Sequence, residues 1–242
     1  MCLAPQVDVI AGTAMAVVAV DAFRHCRSMR TAPIAALPAI FAFHTLTSAV
    51  VWWGLQGAVS PDVGSTATQV FLTIAFVLWP VYIPLALLLV EPKGWRRPAL
   101  LGLAALGVYA SLTFLVPLLA GKGTAVACPY YIDFDIAGVS MTSSVLYLVA
   151  TCGALLLASD RHLRLWGWVN VAAVGILILM AGQGLPSLWC FWAACTSVFV
   201  AWYLRSPASR LDGDARAHDH GAVAGQTEVL RSVGRDSRRR DE

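Results

Sequence analysis

One imidazole sits in the middle of an apolar stretch that carries no charge for 31 residues, between Arg30 and Asp62. This is His44. Thr47 and Ser48 follow at i+3 and i+4, on the same face of any helix that carries it. An ionisable group at that depth is costly and marks a candidate site for a ligand or a proton. The competing reading is a neutral imidazole bonded across to a neighbouring helix. A second candidate lies in the uncharged run between Asp62 and Glu91, where Trp79, Pro80, Tyr82 and Pro84 fall within six residues. Each proline removes a backbone donor and clashes with the carbonyl four residues earlier, which frees the carbonyls of Phe76 and Pro80. Such breaks need a partner or a cavity, and they often line binding sites. Trp79 and Tyr82 project beside the break; a plain kink is the alternative. Tyr147 and Thr151, at i and i+4, offer a third pair of polar groups.

Other reactive groups lack a constellation. His218-Asp219-His220 has generic metal-ligand spacing in a polar stretch that reads as solvated. Cys2 as a terminal nucleophile has no obvious base beside it. Glu91 is expected to pair with Arg96 or Arg97, and Asp21 to form an interfacial ion pair near Arg24 and His25. A zinc site needs about three His, Cys or carboxylate ligands, and one histidine does not supply them. HExxH, GxSxG, Walker and dinucleotide glycine patterns are all absent. With no lysine after Lys122, a retinal Schiff base in the last apolar segment is excluded as well. No cofactor and no nucleic-acid partner is expected.

The elements that must carry these groups follow from composition. The chain is 58% hydrophobic and 13% charged, against roughly 25% charged for soluble domains. The charges cluster and leave long neutral gaps, the longest of 40 residues between Arg164 and Arg205, broken at Gly182-Gln183-Gly184-Leu185-Pro186. A helix of about 20 apolar residues crosses a bilayer. Seven spans are expected, near 6–23, 35–56, 69–90, 99–119, 138–158, 165–182 and 187–204. The first is the weakest, bracketed by Asp8 and Asp21 and without the basic leader of a signal peptide; six spans is the fallback. Alternating the loops puts sixteen Lys and Arg on one side and only Lys122 on the other. The positive-inside rule then sets the N-terminus outside and the C-terminus in the cytoplasm. Trp52, Trp53 and Trp189 fall at the outer boundary, and Trp95, Trp166, Trp202 and Tyr203 at the inner one. The outer loop 121–137 either caps a cavity or lies on the membrane surface. Residues 205–242, without an aromatic, are expected to be a disordered tail.

On this threading Cys2, Cys128 and Cys190 are external, and an oxidising exterior permits one disulfide among them. Cys2 with Cys190 is the preferred pair, since both sit at helix ends; three separate thiols is the alternative. In the first span, Gly12 and Ala16 form a small-xxx-small pair that admits a close neighbour.

Four segments carry a resemblance: Met1-Cys2, Trp79–Arg97 (WPVYIPLALLLVEPKGWRR), Val145–Cys152 (VLYLVATC) and Ser187–Ser197 (SLWCFWAACTS). Over most of residues 1–204 the chain resembles an uncharacterised family of bacterial seven-span integral membrane proteins, known only as a domain of unknown function. The resemblance implies architecture and no chemistry. Where such proteins tend to carry a polar pair and then a glutamate in the second span, this chain has His44, Thr45 and Ser48. A step that depends on that carboxylate would be lost or altered here.

The expectation is therefore an all-α transmembrane bundle in the cell membrane, a seven-helix domain over residues 1–204 followed by the tail. Its partner is the lipid bilayer. The favoured function is a small-molecule or ion-binding sensor or transporter with a cavity lined by His44, Ser48, Trp79, Tyr82 and Tyr147. An intramembrane enzyme and a scaffold without a ligand site are the alternatives.

Overall fold

The structure, a computed structural model, describes residues 4–128, 131–181 and 185–206, without the side chains of 177–178, 180–191 and 193–194. The tail from residue 207, Cys2, the side chain of Cys190 and the His218–His220 triplet lie outside the described residues. Seven helices and one hairpin fill the rest. They are α1 (Pro5–Arg24), α2 (Ala32–Leu55), α3 (Pro61–Val90), α4 (Arg96–Leu119), β1 (Gly123–Ala127), β2 (Ile132–Ile136), α5 (Met141–Leu157), α6 (Arg161–Ala181) and α7 (Leu185–Arg205). Four of them, α1 to α4, are long and apolar enough to cross a membrane, and α5 is a shorter apolar helix.

Local chemistry explains the starts. Pro5 and Pro61 open α1 and α3, where a missing N–H costs nothing. The hydroxyls of Ser60 and Ser140 accept from the N–H groups of Val63 and Ser143, and Asp160 Oδ1 accepts from those of His162 and Leu163. Protein packing alone does not cover these helices. The window in α3 has a mean hydropathy of 2.3, yet only 28% of it is buried. Ile10, Val17, Leu101, Val116, Leu165 and Ile176 stand exposed on helix sides, an arrangement that suits lipid and not water.

Short turns make α1 and α2 an antiparallel pair. A Cβ on Gly12 would lie 2.7 Å from Leu46 Cγ and 3.3 Å from the Ala42 carbonyl oxygen, so the small residue sets the approach. Polar side chains collect at one end of the bundle, where Arg205 on α7 pairs with Asp21 on α1 and the Tyr203 hydroxyl donates to Asp160 at 3.1 Å. Glu91 sits at this arginine-rich end too, but not in the expected ion pair. Its carboxylate accepts from the backbone N–H and the hydroxyl of Ser159. Arg96 donates to that same hydroxyl at 2.7 Å, and Arg97 reaches only the Glu91 backbone carbonyl. The serine wins because the α5–α6 turn brings it directly over the end of α3.

At the opposite end the structure adds an element absent from the all-α expectation. Residues 123–136 form an antiparallel hairpin, Gly123 opposite Ile136 and Ala127 opposite Ile132. Ile132, Phe134 and Ile136 turn inward and are buried against Trp52, Phe71, Leu72, Phe114 and Leu118, while Asp135 faces out. Such period-two alternation is what a strand with one covered face requires. The segment plugs the bundle.

Candidate functional site

The centre of α3 is not α-helical. Thr73–Leu78 form a π-helix that ends at Trp79, where Pro80 cannot supply the donor an α-turn needs. π-segments of this kind recur at functional sites. The loosened carbonyls are taken up by neighbours: Tyr147 on α5 donates to Ala75 O at 3.1 Å, and Ser111 on α4 donates to Val77 O at 2.7 Å. Pro84 frees the carbonyl of Pro80, and Gly107 of α4 is packed so tightly there that a Cβ would lie 1.8 Å from that oxygen. Only a glycine admits this contact.

Eight residues separate Phe71 from Trp79, one more than two α-turns of 3.6 residues hold. The wider turn absorbs the extra residue, and both side chains face α2: Phe71 stacks on His44 with ring centroids 4.0 Å apart, and Trp79 on Phe41 at 4.5 Å. Trp79 is 3% exposed. Tyr82 meets its edge at 6.2 Å and is itself anchored, its hydroxyl donating to Pro33 O at 2.7 Å.

Below this step lies a cavity of about 70 Å³. Phe41, Trp79, Tyr147, Trp166, Trp192 and Phe199 supply its aromatic wall. Trp166 is sandwiched between Trp192 at 5.2 Å and Phe199 at 4.4 Å, nearly parallel to both. The polar groups of the wall are mostly spent on the protein. Asn170 donates to Trp166 O and accepts from Trp192 Nε1 at 2.7 Å; Thr151 and Thr196 donate to the carbonyls one turn back. Trp79 Nε1 is buried and has no partner among the described residues. No Asp, Glu, Lys, Arg or His lines the cavity.

The five residues expected to share one site fall into two places. Trp79 and Tyr147 line the cavity, and Tyr82 buttresses Trp79 from behind. His44 and Ser48 are buried at 2% and 0% exposure but do not line it. His44 is held towards the hairpin in a stack that continues from Phe71 to Phe134 at 4.1 Å, and its Nε2 finds no partner among the described residues. Sequence reasoning also passed over Asp8, which is fully buried on α1. The Gly12 contact with Ala42 and Leu46 fixes the α1–α2 register, and Asp8, one turn earlier, is level with Ser48. Cys26, Cys128, Cys152 and Cys195 are free thiols. Among the described residues no three His, Cys, Asp or Glu side chains come together as a metal site.

The wall contributed by α6 and α7 was missed, although its signal was present. Trp166 with Asn170, and Trp192 with Thr196 and Phe199, follow the i, i+4, i+7 spacing of a single helix face.

A model of a family of unknown function (DUF6629) matches residues 1–214 of the chain. No curated protein and no solved structure matches it.

Proposed function

The chain belongs to this family of unknown function, and on that premise we propose that it is a seven-span membrane protein that holds a neutral small molecule in the cavity beside Trp79, as a sensor or transporter. The observation that carries this reading is the aromatic-walled space next to a π-segment. A mostly apolar pocket with few polar groups is the usual form of a small-ligand site. An ion is the weaker choice here, because a charge placed against this wall would meet no countercharge and lose its hydration. The hairpin end faces outward and the arginine-rich end the cytoplasm, following the sixteen-to-one bias of Lys and Arg.

Ala86 lines the cavity and is 3% exposed, so Ala86→Leu fills the space without adding charge. In a thermal-shift titration of the purified full chain with neutral lipid-soluble compounds, those that raise the melting temperature of the wild type should do so less for the filled variant. Equal stabilisation of both would place binding elsewhere. For topology, single cysteines at residues 122 and 238, in a chain lacking the native six, should label with an impermeant maleimide from outside and from inside respectively. The reverse pattern would invert the bundle.

A further inference from the structure

The arginine-rich end of the bundle carries more positive charge than its own carboxylates neutralise. Lys93, Arg96 and Arg97 lie around the α3–α4 turn and Arg161 and Arg164 at the start of α6, against Glu91 and Asp160. Both carboxylates are engaged elsewhere. Glu91 is buried and held by the N–H and hydroxyl of Ser159; Asp160 accepts from two backbone N–H groups and from Tyr203, with His162 3.6 Å away. Arg96, Arg97 and Arg164 are partly buried and make no ion pair among the described residues. Neutral acceptors hold them instead. Arg96 donates to the Ser159 hydroxyl at 2.7 Å, Arg164 to the carbonyls of Ala158 and Ser159 at 3.0 and 3.3 Å, and Arg97 to that of Glu91 at 3.5 Å. A guanidinium keeps its charge in such a setting and has five N–H donors, of which these contacts use one or two. Three fixed cations thus gather around Ser159 and Glu91 with donors to spare.

Two further features say which anion suits them. α4 starts at Arg96 with no side-chain cap and no acidic residue in its first turn, so the positive end of its dipole adds to the guanidiniums. α4 and α6 both run from this end into the bundle, and each has an exposed leucine one turn deeper than a basic residue. Leu101 follows Arg97 by four positions, and Leu165 follows Arg161 by four. A soluble anion gains nothing from that apolar step, whereas a phospholipid carries its phosphate directly above its acyl chains. Trp95 is exposed, with Arg96 over its ring at 5.4 Å, as suits the headgroup layer where tryptophan collects.

We infer that Arg96, Arg97 and Arg164 bind the phosphate of an anionic phospholipid in the leaflet that this end of the bundle meets. Such contacts are charge-assisted and can be bidentate, which makes them strong. The site is separate from the cavity and rests on the membrane placement alone.

The test titrates the full chain in non-ionic micelles with phosphatidylglycerol or phosphatidylcholine and reads the half-saturating mole fraction of lipid from the rise in melting temperature. Wild type should need about tenfold less phosphatidylglycerol than phosphatidylcholine. Arg96→Gln with Arg164→Gln should raise the phosphatidylglycerol requirement about tenfold. Arg27→Gln with Arg30→Gln removes the same charge from exposed positions in the α1–α2 turn and should raise it by less than about threefold. If the first pair does not fold, Arg97→Gln takes its place, with about a fivefold rise expected. Equal losses in the two pairs would reduce the effect to diffuse surface charge and overturn the site, as would equal half-saturation by the two lipids. Stabilisation by inorganic phosphate that disappears in the Arg96, Arg164 pair would make the ligand a soluble phosphate and overturn the lipid assignment. Failure of wild type to enter nanodiscs of either lipid would overturn the membrane placement and this site together.

Discussion

The two halves of the bundle use the same kinds of side chain and reach opposite results. Towards the hairpin, Phe134, Phe71 and His44 form one continuous stack, and Ile132, Phe71, Leu72 and His44 are each at most 2% exposed. Towards the arginine-rich end, aromatic rings are just as plentiful, yet they stand around an open space. Ring content therefore does not decide which half is filled. The backbone does. The hairpin seats Phe134 among the helix ends, whereas the π-turn and two prolines of α3 lie beside the open space. An empty space in an apolar region forfeits dispersion contacts, and the half that holds this interior space is the one with room for function.

Five substitutions, one of them a control, bear on that contrast. The largest effect belongs to Phe71→Ala, which opens a hole in the filled half. A loss of about 3–5 kcal/mol is expected from reversible unfolding in mixed micelles, and a loss below about 1 kcal/mol would mean that half is as loose as the other. Next is the boundary, where Gly107→Ala forces a methyl against the Pro80 carbonyl and should cost about 1–3 kcal/mol. Gly102→Ala on the same helix, with open space around it, is the control and should be neutral or slightly favourable. Ser111→Ala withdraws the donor from Val77 O and should cost about 0.5–1.5 kcal/mol, with slowed amide exchange across the π-segment counting against any such role. The smallest change is expected for Arg205→Gln, since its pair with Asp21 is partly solvated; about 0–1 kcal/mol is the range for such pairs.

Much of the frame was readable beforehand. Asp21, Arg96, Arg164 and Arg205 mark where helices must stop because charges leave an apolar phase, and all of them fall at one end of the bundle. The break at Trp79-Pro80 was legible for the same kind of reason: a missing N–H is a property of the residue itself. The Pro80 carbonyl named from sequence is indeed the one that Gly107 meets. Its form as a π-turn was not legible, because that depends on Tyr147 and Ser111 arriving from other helices to satisfy the carbonyls. The hairpin is absent from the sequence reading, which takes 121–137 as an outer loop, although Ile132-Asp133-Phe134-Asp135-Ile136 alternates as a strand does. The grouping of His44 and Ser48 with Trp79 and Tyr147 failed to anticipate the step between them. His44 and Phe41 are one turn apart on α2, and that single turn separates the filled layer from the hollow one.

The pair between Asp21 and Arg205 joins the first helix to the last. A ribosome releases α1 and α2 long before residue 205 exists, so this clasp cannot form during the early part of synthesis. The first two helices are complete well before α7, and the contact between the first helix and the last forms only when α7 is delivered. Closing so long a loop carries an entropic cost that grows only slowly with its length. A chain cut short before α7 would therefore leave the side of α1 that α7 covers open to lipid or to quality control.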